Sequence, residues 1–148
     1  MLFRSQLSSA TSVTTQDAEL TSTVAMACSE DLPRAFENLA LSVGIEAWMK
    51  AVFACNQYVD EQAPWALRKT DPQRMNDVLV TLFGAIRDLT IAISPVVPEA
   101  STLILNAMCI PESERDFHAL RMIDPRAVAM RVETPKPAFP RLEMPTPE

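Results

Sequence analysis

An all-α fold, a bundle of about four to five helices with an extended proline-rich C-terminal arm, is predicted by three observations. Only 2 glycines stand against 12 prolines, and a β-rich chain needs glycine at its turns. Apolar residues recur at three- and four-residue steps through most of the first 110 positions. Five prolines (Pro135, Pro137, Pro140, Pro145, Pro147) crowd the last fourteen residues, where no helix can continue. A chain of 148 residues is long enough for one domain with a real core, burying roughly 68–70% of its unfolded surface.

The elements follow in order. Met1–Thr15 is rich in Ser and Thr without periodicity and is expected to be a disordered or non-native leader, residues 1–15. Met1–Ser5 reads as a scar matching one frame of a common sequencing-adapter end, which would make the gene a truncated fragment. A first helix, about 16–30, places Leu20, Val24, Ala27 or Cys28 and Leu32 on one stripe, with Thr15 as N-cap. Pro33 interrupts or kinks it. A second helix, about 38–59, carries Leu41, Ile45, Trp48, Val52, Cys55 and Val59, and Pro64 forbids its smooth continuation.

A third helix opens with Asp71 as N-cap and Pro72 at the first helical position, then runs Met75, Val78, Leu79, Leu82, Ile86, Leu89, Ile93. A shorter helix covers about 98–109, and "ESERDFHAL" suits a last one. The bundle thus spans 16–121 and the extended arm 122–148, with a weak alternation at Val128, Met130 and Val132 hinting at one short strand. Phe139 is the arm's one large apolar anchor.

Function classes narrow by elimination. A net charge of −6 argues against a whole-surface nucleic-acid or DNA binder, though a local basic patch remains compatible. No apolar run reaches membrane-span length, so no membrane partner is expected and the location is cytoplasmic. Cys28, Cys55 and Cys109 are odd in number, widely separated and read as reduced, mostly buried thiols. His118 is the single histidine, so no zinc set, no nucleophile-base pair and no metal site are expected. Phosphate-binding glycine loops need more than Gly44 and Gly84. No cofactor and no catalytic activity are expected of this chain.

Binding chemistry is left. Trp48 lies on the second helix's apolar stripe and is expected in the core. Trp65 follows a helix-ending proline in "NQYVDEQAPWALRKT", with Arg68, Lys69 and Arg74 near it. It suits either a core plug or a platform on which a splayed base stacks while cations hold phosphates. Asp60 and Glu61 read as solvated charges beside it, and Asn56 and Tyr58 as possible supporting groups.

"NQYVDEQAPWALRK", the following "R…L…L…IR" helix, "SPVVPEAS" and the tail "AFPRLE" resemble the anticodon-binding domain of methionyl-tRNA synthetase, over roughly Asp17–Glu143. That resemblance implies a class Ia synthetase helical bundle and recognition of the CAU anticodon of tRNA(Met), with Trp65 on the binding surface. It further implies that ATP and methionine would bind a separate catalytic domain, whose HIGH and KMSKS signatures have no counterpart here. The family also uses an asparagine and an arginine, four residues apart, on a preceding helix. Only Arg4 could take the arginine's place, so an apolar groove left open by that helix is expected. Two other functions fit the same residues: a helical protein–protein interaction module, and the equivalent domain of a sister class I synthetase.

Overall fold

The computed structural model describes residues 5–122 and 130–141. The order is β1 (Ser5–Leu7), α1 (Thr15–Met26), a π-helical turn (Ala27–Asp31), α2 (Leu32–Glu37), α3 (Leu41–Gln62), α4 (Pro64–Thr70), α5 (Pro72–Ile93), α6 (Pro98–Ala107), a 3-10 turn (Glu112–Glu114), α7 (Ala119–Met122) and β2 (Met130–Val132). The all-α reading holds: four of the described α-helices have ten residues or more, and the only sheet described is a three-residue ribbon.

Local rules place the boundaries. Thr14, one residue before the expected cap, closes α1 with a capping box: its hydroxyl accepts from the Asp17 N–H while the Asp17 carboxylate accepts from the Thr14 N–H. Pro33 does not end the first helical run. The chain widens into the π turn just before it, the Leu32 N–H reaching back to the Ala27 carbonyl, and resumes as α2 with proline in the first turn. Asp71 caps α5 by accepting from the Arg74 N–H at 2.9 Å, with Pro72 next, as the sequence predicts.

The corners after α2 and α6 explain how so few glycines suffice. Leu39 and Cys109 take the left-handed conformation that glycine usually supplies. Each closes a Schellman motif: Ala40 N–H to Ala35 O with Leu39 N–H to Phe36 O, and Ile110 N–H to Leu105 O with Cys109 N–H to Asn106 O. Both glycines sit inside helices instead. Gly44 lets α3 approach α2, since an added Cβ would lie 2.9 Å from Ala35 Cβ and 3.0 Å from Leu32 Cδ1.

α5 is the axis of the molecule. One buried cluster joins its Val78, Leu82 and Leu89 to Leu20, Val24, Cys28, Leu32, Ala51, Cys55 and Tyr58. Another joins its Val80, Phe83 and Ile91 to Leu105, Met108, Ile110 and Met130. The single stripe expected for α5 is thus only part of its buried surface, and Ile86, counted in that stripe, is exposed. On α3 the buried line runs through Gly44, Ala51, Cys55 and Tyr58, the first three small enough to permit close approach; Trp48, Val52 and Val59 flank it half-buried, and Leu41 is exposed. Trp48 packs on the core from its half-buried position, and its indole N–H donates to the Leu89 carbonyl at 2.9 Å.

The leader departs from expectation. β1 pairs antiparallel with β2 in the register Ser5–Val132, Gln6–Arg131, Leu7–Met130. Thr11 and Ser12 then donate backbone N–H and hydroxyl groups to Asp77, a carboxylate 1% exposed on α5. The Ser/Thr run that reads as loose chain is a set of donors for a buried charge, which would be costly unsatisfied. Burial alone would raise the Asp77 carboxyl; Thr11, Ser12 and Gln73 outweigh it and hold it below the ordinary value. The strand hinted at in the arm is β2, although Val128 lies outside the described residues, as does the tail from Leu142.

A second buried carboxylate ties the helices together. Asp17 on α1 receives Arg74 of α5 at 2.6 and 2.7 Å and the Tyr58 hydroxyl of α3 at 2.5 Å. Burial would raise its pKa, but the guanidinium, the phenol and Thr14 hold it well below the usual carboxylate range. Burial, together with Asp17, pushes the Tyr58 hydroxyl well up, so it remains a donor.

Two tests follow from the packing. Gly44→Ala should destabilise the fold in urea unfolding: overpacking costs about 1–3 kcal/mol, against about 1 kcal/mol regained in helix propensity. Asp17→Asn should cost about 2–4 kcal/mol at neutral pH, because a largely buried guanidinium loses its counter-charge. Because the folded carboxyl titrates below its unfolded value near 3.9, the wild-type advantage should be complete above about pH 5 and shrink as pH falls below about 4. A pH-independent difference between the two proteins would refute the ion-pair origin.

Candidate nucleic-acid interface

Pro64 and the residue before it build the site. Ala63 ends α3 in the left-handed region, φ 41 and ψ 60, and the chain restarts at once as α4 with Pro64 in its first turn. This short helix, which periodicity does not reveal, puts Trp65 at its second position. The indole is 64% exposed, so the core alternative for Trp65 fails. Arg68 and Lys69 follow three and four residues later, which sets them on the same helical face as the indole, and both are exposed. Leu67 turns the opposite way and packs against the core.

Other expected residues are sorted by their partners. Arg74, expected as a third cation for the ligand, is instead committed inward to Asp17, with a further 2.7 Å bond to the Gln62 side chain. The sequence could not show this, because Asp17 lies far away along the chain and becomes its neighbour only when α1 packs on α5. Tyr58 is 4% exposed and serves the same network, not a ligand. Asn56 is exposed on α3, as is Glu61, which accepts from Gln57 at 2.8 Å. The sequence reading missed Gln62 and Gln16, whose side chains bond to each other at 2.7 Å beside the Ala63 corner.

Elsewhere the surface offers less chemistry. Cys28 and Cys55 are buried, and burial pushes the Cys55 thiol up to about 11 and Cys28 higher still, with Asp88 and Cys55 adding to the latter. Cys109 is exposed, against expectation, because it forms the left-handed corner after α6. His118 is exposed beside a shallow cavity lined by Ser29, Pro33, Phe117 and Leu120. Among the described residues no group of three or more His, Cys, Asp or Glu is placed to hold a metal, and no helix is long and apolar enough to cross a membrane. Met49 and Phe53, one turn apart on α3, are exposed apolar side chains, and Phe139 of the arm is 77% exposed.

Comparison with known proteins identifies the family and the fold. The family described as the anticodon binding domain of methionyl tRNA ligase matches residues 8–144. The methionine–tRNA ligase of Brucella suis biovar 1 (strain 1330) is 33% identical over 112 residues, 76% of this chain and 22% of that protein. That of Rhizobium meliloti (strain 1021) is 35% identical over 101 residues, 68% of this chain and 20% of that protein. The chain therefore spans about a fifth of the length of these curated relatives. The apo crystal structure of Mycobacterium tuberculosis methionyl-tRNA synthetase shares the fold, with a TM-score of 0.84 at 24% identity, covering 95% of this chain and 28% of that one. With the match running through nearly all of its length, the chain belongs to the family of methionyl-tRNA ligase anticodon-binding domains.

Proposed function

We propose that this chain binds the anticodon loop of tRNA(Met), reading its CAU anticodon, with Trp65 as the stacking surface and Arg68 and Lys69 as the phosphate-binding cations. One observation carries the reading: Trp65 is 64% exposed near the start of α4, with two solvent-accessible cations on the same helical face. A large aromatic left in water at such a place does little for folding. Unpaired loop bases can be splayed out to stack on it, and every base has a face to offer. Asn56 is an exposed amide on the preceding helix and is suited to a base edge. Arg74 drops out of the contact set because its guanidinium is occupied.

The overall charge of −6 fits a local rather than a distributed interface. The preference for CAU comes from the family resemblance. ATP, methionine and a catalytic domain belong to the same proposal as properties of the parent enzyme, not of this bundle.

Titrating RNA hairpins carrying CAU or a swapped anticodon into the protein tests the assignment. Binding should favour CAU; equal affinity for both hairpins, or none for either, rejects it. Trp65→Ala should weaken the CAU hairpin by about 1–3 kcal/mol. Arg68→Ala or Lys69→Ala should lower the slope of log K against log salt by roughly 0.7–0.9 for each phosphate no longer neutralised.

A further inference from the structure

The corner that presents Trp65 is closed less completely than its counterparts. At Leu39 and Cys109 two crossing backbone bonds lock the exit from the helix. At Ala63 only one spans the helix end, Ala63 N–H to Val59 O at 3.0 Å, because the next residue is Pro64 and has no N–H to give. Ala66 N–H to Ala63 O at 2.8 Å starts α4 but does not cross back to α3, so the backbone holds the direction of α4 less tightly than at the other two corners. Trp65 is one residue beyond that proline, so any swing of α4 moves the indole.

Side chains add to the hold: Leu67 packs α4 on the core, and a polar network ties down the end of α3. Gln62, the last residue of α3, accepts from Arg74 Nη2 through Oε1 at 2.7 Å and donates through Nε2 to Gln16 Oε1, also at 2.7 Å. Arg74 is itself held by Asp17, and its backbone N–H by the Asp71 cap that begins α5. α1 and α5 thus grip the end of α3 from two sides, immediately before the corner. We infer that Gln62, held between Gln16 and Arg74, is a positioning residue that sets the angle at which Trp65 meets an unpaired base. The inference rests on the reading of Trp65 as the stacking surface, and it gives Arg74 a part in binding without any contact to RNA.

A double-mutant cycle in the 148-residue chain tests it, with a fluorescently labelled RNA hairpin bearing CAU as the probe. Gln62→Ala should weaken binding about two- to tenfold, the scale of coupling within one side-chain network. The salt slope should stay unchanged, because no charge is removed. In the Trp65→Ala background the same substitution should have no further effect. Gln62→Glu keeps the acceptor for Arg74 but not the donor to Gln16, and should recover part of the loss. Gln16→Ala, an exposed change that leaves the Asp17–Arg74 pair intact, repeats the cycle should Gln62→Ala fail to fold.

Undiminished loss in the Trp65→Ala background, or no loss in the single variant, would overturn the positioning role while leaving the anticodon reading in place. Trp65→Ala binding as tightly as wild type would remove that reading and the positioning role with it.

Discussion

The contact on which the rest of this structure depends is the forked pairing of Arg74 with Asp17. It joins the first turn of α1 to the first turn of α5, and the two residues lie 57 positions apart in sequence. Tyr58 brings α3 to the same carboxylate. Three helices therefore meet at one charge, and that charge is tolerated inside the protein because donors converge on both of its oxygens. The apolar clusters supply the larger share of the folding energy, but they are tolerant of small slips. A two-pronged ion pair is not, so it fixes the register in which α1, α3 and α5 pack.

Asp77 does for the leader what Asp17 does for the helices. Both are buried carboxylates, one on α5 and one packed against it, and both are satisfied in part by groups from the N-terminal stretch. Asp88 behaves in the opposite sense. Burial raises the Asp88 carboxyl despite its 2.6 Å contact with Arg87, so ionisation there costs stability instead of adding it.

Much of the fold was legible in the sequence where the rule is local. The Asp71–Pro72 start and the stop at Pro64 are decided by neighbouring residues, and the chain obeys them; the periodic face of α5 was read only in part. What was illegible depends on distance. Nothing near Thr11 and Ser12 announces that Asp77 will take their hydrogens, and nothing near Arg74 announces Asp17. The π turn ahead of Pro33 escaped for another reason: a widened turn keeps the proline inside a helical run, and its sequence has no signature of its own. At the candidate site, Trp65, Arg68 and Lys69 were found because a large aromatic after a proline is conspicuous. Gln62 was overlooked because an amide's worth lies in its two partners.

The ribbon between Ser5–Leu7 and Met130–Val132 has a consequence in time. It joins segments at opposite ends of the chain, whereas α2 with α3 and α4 with α5 are linked by short corners. Among the described pairings, loop closure of that span carries the heaviest entropic toll, and a finished bundle brings the two strands within reach. The helices should therefore assemble first and the ribbon should latch last, an order that pulse-labelled amide exchange would contradict if the strand amides were protected early.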